Sequence, residues 1–137
     1  MLGRFQRDVI EHQPTHLIIM GGTNDLWFGT PNSLIISNLH AMTRQAMHHE
    51  IETIIGIPTP AFLSDNASEM ELNLQKRLVA YNQELIQYCK EETRSFINFS
   101  ANMTQDLFLA DGVHPNEAGQ KVMAANASAI LRKVLSI

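Results

Sequence analysis

Two short stretches of this 137-residue chain hold side chains whose types and spacing could do chemistry. Near the end, Asp111 and His114 stand three apart in Asp111-Gly112-Val113-His114-Pro115. That spacing lets a carboxylate reach the imidazole Nδ1–H, which fixes the tautomer and leaves Nε2 free as a general base. The same residues also suit a solvated loop in which Asp111 makes a local turn and His114 merely precedes a proline. Near the start, the apolar run Leu17-Ile18-Ile19-Met20 leads into Gly21-Gly22-Thr23-Asn24-Asp25. An asparagine in such a place can aim its amide N–H at a developing oxyanion, and glycines let the backbone turn tightly and approach a ligand. An Asn-Asp turn uses the same residue types.

The elements that must position these stretches follow from apolar spacing. Leu2, Phe5, Val9 and Ile10 predict an opening helix that His12-Gln13-Pro14 ends. Thr15 to Met20, stopped by two glycines, predicts a buried parallel strand. Asn32 or Ser33 can cap a second helix with Ile35, Leu39, Met42 and Ala46 on one face. Glu52 to Ile57, closed by Pro58 and Pro60, predicts a second strand. Ala61 to Ser68 reads as an exposed loop, and Leu74, Leu78, Tyr81, Leu85 and Tyr88 mark a third helix. Ser95 to Phe99 is a third, weaker strand. Pro115 suits the first turn of a last helix with Val122, Met123, Ile130, Leu131 and Val134 on its apolar side. Helix and strand alternate throughout, which is the pattern of an α/β fold with a parallel sheet between helices on both faces. In such folds ligands bind at the carboxyl ends of the strands, so Gly22-Thr23-Asn24-Asp25 belongs on that rim.

Composition narrows the function. A net charge of -4 and a pI near 5.8 speak against a nucleic-acid footprint, which shows as clustered Lys and Arg. Apolar runs such as Leu17 to Met20 fall far short of the roughly 20 residues of a membrane span. Arg4, Arg7, Asp8 and Glu11 interrupt any signal-peptide core. The single cysteine, Cys89, rules out an intrachain disulfide and suits a reducing compartment, so a cytoplasmic location is expected. The Asn-x-Ser/Thr sequons at Asn66, Asn98, Asn102 and Asn126 are then chance matches. The histidines at 12, 16, 40, 48, 49 and 114 show no metal-binding spacing. Asp106, Asp111 and His114 could cradle a metal, although irregular acidic loops are usually only solvated. No Walker loop or Gly-x-Gly-x-x-Gly is present. Trp27 and Phe28 could wall an acyl or alcohol pocket, or pack beside the sheet edge.

Taken together, the Gly22-Thr23-Asn24-Asp25 and Asp111-Gly112-Val113-His114-Pro115 stretches resemble two of the four signature blocks of the SGNH (GDSL-type) hydrolases, a family of serine esterases and lipases. They stand in family order, and the resemblance covers nearly the whole chain. It implies a three-layer, flavodoxin-like α/β fold. It also implies that Asn24 donates to the oxyanion, that Gly22 acts through its backbone, and that Asp111 and His114 are the acid and base of a triad. Asp25 is expected to hold its loop by hydrogen bonds to backbone. The family's nucleophile lies in a Gly-Asp-Ser block, and no Gly-Asp-Ser occurs here; the block-two glycine has no match either. Ser33 and Ser64 sit in or beside rim-side loops, but nothing in their context, or in that of Ser37, Ser68, Ser95, Ser100, Ser128 or Ser136, marks a nucleophile.

The expectation is therefore one domain over residues 1–137, truncated at its N-terminus to about three strands. A Gly-Asp-Ser block would lie some 40 to 60 residues upstream, roughly one strand-helix-strand unit. The resemblance implies a serine ester hydrolase acting on a small ester or thioester without a cofactor, and the chain as it stands is expected to be inactive. No nucleic-acid or membrane partner is expected. A homodimer through the exposed sheet edge is. The rival reading is a non-catalytic binding or assembly module on the same scaffold.

Overall fold

A computed structural model describes residues 1–63 and 66–136. Its centre is a sheet of three parallel strands, β1 (His16–Met20), β2 (Glu52–Ile57) and β3 (Phe96–Asn98), in the order β1-β2-β3. Ile18 pairs with Ile54, Ile19 with Ile55, and Gly56 with Ile97. Because the strands run the same way, their carboxyl ends open onto one rim. The helices are α1 (Phe5–Asp8), α2 (Thr23–Trp27), α3 (Asn32–His48), α4 (Glu69–Glu91) and α5 (Glu117–Val134).

Alternation along each strand splits the core into two layers. On one side Ile19, Ile55 and Ile57 meet Ile35, Leu39, Met42 and Ala46 of α3 and Leu74, Leu78, Tyr81 and Leu85 of α4. Leu85 is wholly buried, so Leu85→Ala would cost about 2–5 kcal/mol in lost transfer energy and cavity. Cys89 lies in the same layer, its thiol pKa pushed up to about 11 by burial. On the other side Ile54, Ile97 and Phe99 meet Met123, Ala127, Ile130, Leu131 and Val134 of α5. These α5 side chains are only half-buried, and Ile18 and Met20 on the same sheet face are exposed. The three-layer α/β architecture is as the residue pattern and the resemblance led one to expect.

Several element ends differ from expectation. The opening helix is broken into a 3-10 turn (Leu2–Arg4), α1 and a second 3-10 turn (Ile10–His12). Phe5 and Ile10 are both buried; five residues apart, they would stand about 140° apart on a continuous α-helix, so the kink brings both inward. Asn32 does not cap α3. Pro31 occupies the cap position, and the Asn32 amide donates instead to Glu84 Oε1 at 3.0 Å. Pro115 lies ahead of α5, bridged antiparallel to Phe108, and Asn116 is the cap, its side chain accepting from Gly119 N–H at 3.0 Å. Helix α4 starts on a capping box in which Ser68 and Glu71 satisfy each other's backbone N–H groups.

Candidate active site

The first rim element begins where β1 ends. Gly22 takes a φ of 110°, and a Cβ built there would lie 2.6 Å from the Tyr81 hydroxyl. Both the conformation and the close approach require glycine. The residues that follow form the short helix α2, where the sequence suggested a turn. Leu26 N–H donates to the Gly22 carbonyl at 2.8 Å, and the Leu26 side chain is almost fully buried, so burial of one leucine winds the segment. Asn24 thus stands exposed on the first turn of a helix. Among the described residues its side-chain amide has no hydrogen-bond partner, which leaves it free to donate. Nor does the Asp25 carboxylate hydrogen-bond to backbone among the described residues, contrary to expectation; it is the Asp25 carbonyl that accepts, from Thr30 N–H at 2.9 Å.

The second rim element is the loop carrying Asp111 and His114. The Phe108–Pro115 bridge closes its base, and Leu109 N–H donates to the His114 carbonyl at 2.8 Å. Within it the Asp111 carboxylate divides its work. Oδ1 accepts the backbone N–H groups of Val113 and His114 at 2.8 and 2.9 Å, while Oδ2 lies 2.8 Å from His114 Nδ1. The backbone N–H of His114, then that of Val113, then the imidazole hold the Asp111 pKa down at about 2. An ionised carboxylate only accepts, so Nδ1 carries a proton, and in the neutral imidazole the lone pair is on Nε2. The imidazole is 73% exposed, and Nε2 has no partner among the described residues.

Helix α4 supports both rim elements. Tyr81 donates to the Gly21 carbonyl at 3.0 Å. Arg77 donates to the Leu26 and Thr30 carbonyls at 2.7 and 2.6 Å, placing a cation at the carboxyl end of α2. Asn82 donates to the Pro58 carbonyl at 2.9 Å and Gln75 to the Ala61 carbonyl at 2.8 Å, holding the segment after β2. Phe62, in that segment, donates its N–H to the Gly112 carbonyl at 2.7 Å. One helix thereby locates the Asn24 and His114 elements relative to the same sheet. In the sequence Tyr81 reads only as a core residue, and Gln75, Arg77, Asn82 and Phe62 carry no motif; the sole hint is that the three polar residues flank the buried α4 stripe.

The serines are placed elsewhere. Ser33 and Ser37 line a groove between α3 and α4, Ser68 caps α4, and Ser95 precedes β3 at the rim opposite the carboxyl ends. Ser100 donates to Asn98 Oδ1 at 2.7 Å, Ser128 lies on α5 and Ser136 follows it. None hydrogen-bonds to His114 among the described residues, and Ser64 lies outside them. Asp106 accepts from the Thr104 hydroxyl; among the described residues no group of three His, Cys, Asp or Glu side chains gathers as metal ligands. No described helix is long and apolar enough to cross a membrane.

Comparison with known proteins agrees with this architecture. The sequence profile of the GDSL-like Lipase/Acylhydrolase family matches residues 1–122. No curated protein sequence matches the chain. Among solved structures, it is similar to a GDSL-like lipase from Bacteroides thetaiotaomicron, with a TM-score of 0.86 and 25% identity over 97% of this chain and 69% of that one. It is similar to a member of the lipolytic protein G-D-S-L family from Veillonella parvula, with a TM-score of 0.69 and 27% identity over 84% of this chain and 62% of that one. An acetylxylan esterase from Geobacillus stearothermophilus shares the fold, with a TM-score of 0.75 at 19% identity over 96% of this chain and 64% of that one.

Proposed function

The chain belongs to the GDSL-like lipase/acylhydrolase family, and from that membership and the Asp111–His114 geometry we propose that it supplies the base, the acid and an oxyanion donor of a serine ester hydrolase. The observation that carries this reading is the Nδ1 to Oδ2 contact of 2.8 Å, which in the neutral imidazole turns the Nε2 lone pair toward solvent. In the proposed reaction a serine hydroxyl gives its proton to His114 Nε2 as its oxygen attacks the ester carbonyl. The carbonyl electron pair moves onto oxygen, and the Asn24 amide donates to that oxyanion, with the Gly22 turn setting the backbone around it. Collapse expels the alcohol or thiol, which takes the proton from His114. Water then repeats the sequence on the acyl-serine. Asp111 stays ionised throughout and holds the ring. These steps need no cofactor.

The substrate class is a small ester or thioester. The serine has no counterpart in this sequence, so the 137-residue chain by itself is proposed to be inactive. That same lack favours a second reading, a non-catalytic binding module that keeps the scaffold. A cytoplasmic setting is also part of the proposal, supported by a lone, buried Cys89.

Hydrolysis of p-nitrophenyl acetate by this chain, alone and joined to a Gly-Asp-Ser strand unit, decides between the two readings. Hydrolase function predicts activity only in the joined form, falling at least about 1,000-fold in His114→Ala. Activity indifferent to His114 would remove the hydrolase reading.

A further inference from the structure

The groove between α3 and α4, about 510 Å³ in volume, is lined by neither Asn24 nor His114 and has no part in the reaction steps. Its middle is apolar. Ile36 of α3 and the Tyr88 ring of α4 are half-buried there against the core beneath. The polar tip of Tyr88 is already engaged, its hydroxyl lying 3.1 Å from His40 Nδ1 on the opposite wall. The charges stand at the two ends. Glu84 and Glu91 are the first and last α4 side chains on the wall, and positions seven apart share one helix face about 10 Å apart along the axis. A neutral amide holds each carboxylate: Asn32 donates to Glu84 Oε1 at 3.0 Å, and Gln87 to Glu91 Oε1 at 2.8 Å. Among the described residues neither carboxylate meets a lysine or arginine. We infer that this groove binds a linear aliphatic diammonium ion, one ammonium at each carboxylate and the methylene chain along Ile36 and Tyr88.

Charge and spacing select this ligand class over the alternatives. A hard metal ion needs six or so oxygens closing on one point, and two carboxylates about 10 Å apart along a helix do not converge. An anion is repelled by both ends. A neutral apolar molecule fills the middle and leaves both charges unanswered. An extended diamine with a chain of four to six carbons places each ammonium a hydrogen bond inside its carboxylate and covers the apolar floor between them. The one other acid close by, Glu92, is taken up by Arg94 Nη2 at 3.6 Å and by His40 Nδ1 at 4.0 Å. Both groove carboxylates are solvent-exposed, so each ion pair adds only a few-fold in affinity and discrimination rests on using the two together. Asn32 is the first residue of α3, so its bond to Glu84 already joins the two helices, and the ligand adds a tie at the His40 end.

Binding here needs no nucleophile, and the test uses the chain as it is. Hexane-1,6-diamine and hexylamine are titrated separately at matched ionic strength, with Kd read from backbone amide shifts by NMR. The pH is held above the ordinary imidazole range, because His40 faces the ligand. Saturable shifts are expected along the facing stretches of α3 and α4, with the diamine about three- to fivefold tighter than the monoamine, the worth of one more exposed ion pair. Glu84→Gln and Glu91→Gln should each bring the diamine down to the hexylamine level. Glu117→Gln removes the same charge from α5, which packs on the other face of the sheet, and should leave the Kd unchanged. Magnesium, a compact dication, should not displace the diamine at matched ionic strength. Equal affinity for the two amines, an equal loss in Glu117→Gln, displacement by magnesium or the absence of saturable shifts would overturn the inference. The hydrolase reading is untouched by any of these results, since it falls only with His114-independent hydrolysis.

Discussion

The Phe62 backbone N–H donates to the Gly112 carbonyl at 2.7 Å, and a Cβ on Gly112 would collide with the Phe62 carbonyl oxygen. These two residues are 50 apart in sequence, yet they join the segment after β2 to the loop that carries His114. The T-shaped contact of Phe62 with Phe108, with ring centroids 5.2 Å apart, packs the same junction. The His114 loop leaves from the carboxyl end of β3, and this seam ties it to the segment that leaves the same rim after β2.

Gly112→Ala tests the seam. Gly112 holds a φ of 67°, so alanine meets both backbone strain and the Phe62 carbonyl. Strain of this kind costs about 1–3 kcal/mol. Thermal denaturation should show a clear fall in Tm, and the Phe62 amide should lose protection from hydrogen exchange. An unchanged Phe62 amide would mean the loop docks without this contact.

Asp111 predicts a pH response with a defined sign. Its folded pKa of about 2 lies below the ordinary carboxylate value near 3.9. A depressed pKa stabilises the loop above the unfolded value, and that support is lost as pH falls through about 4 toward 2. The Asp111 carboxyl carbon should titrate near pH 2 by NMR, with the Val113 and His114 amide protons moving in step. An inflection near pH 3.9 would show that those amides are not bonded to Oδ1.

Tyr81→Phe removes the bond to the Gly21 carbonyl and leaves the rest of the ring in place. Tyr81 is fully buried, and burial, with Asp25 adding to it, raises its hydroxyl pKa. Loss of the bond should cost about 0.5–1.5 kcal/mol, because the half-buried Gly21 carbonyl loses its donor. Denaturant unfolding measures this. In the active form the variant should lower kcat, since the turn before Asn24 is loosened.

The outer edge of β1 is the remaining test. Beyond its pairing with β2, no described backbone group bonds to residues 16–20, and Ile18 and Met20 are exposed beside it. A two-fold pairing of β1 with its copy would satisfy the edge and cover both side chains. Sedimentation of the 137-residue chain should give a dimer, and Ile18→Lys should give a monomer. A monomeric parent chain would remove the homodimer from the account.

Apolar spacing made much of this molecule readable. β2 spans Glu52–Ile57 as its β-branched run and two prolines require, and the buried positions of α3 are those of the i, i+3, i+4 stripe. What spacing could not show were the short elements. α2 forms because Leu26 enters a core built by residues far away, and the N-terminal helix breaks because Phe5 and Ile10 must both face that core. Local propensity is silent on both.

The candidate site divides in the same way. Sequence alone determined that Asp111 could reach His114, because a three-residue spacing brings a carboxylate within range of an imidazole; that the contact forms is seen only in the folded loop. It likewise placed Asn24 just past a strand ending in glycines, hence on the rim of a parallel sheet. Only the tertiary structure decided what holds Asn24 and His114 relative to one another: Tyr81 and Arg77 on one side of α4, Asn82 and Gln75 on the other, and the Phe62–Gly112 seam. Those contacts run from side chains to backbone carbonyls across long sequence separations. A carbonyl is the same group at every residue, so the chain carries no residue code for such partners, and only folding selects them.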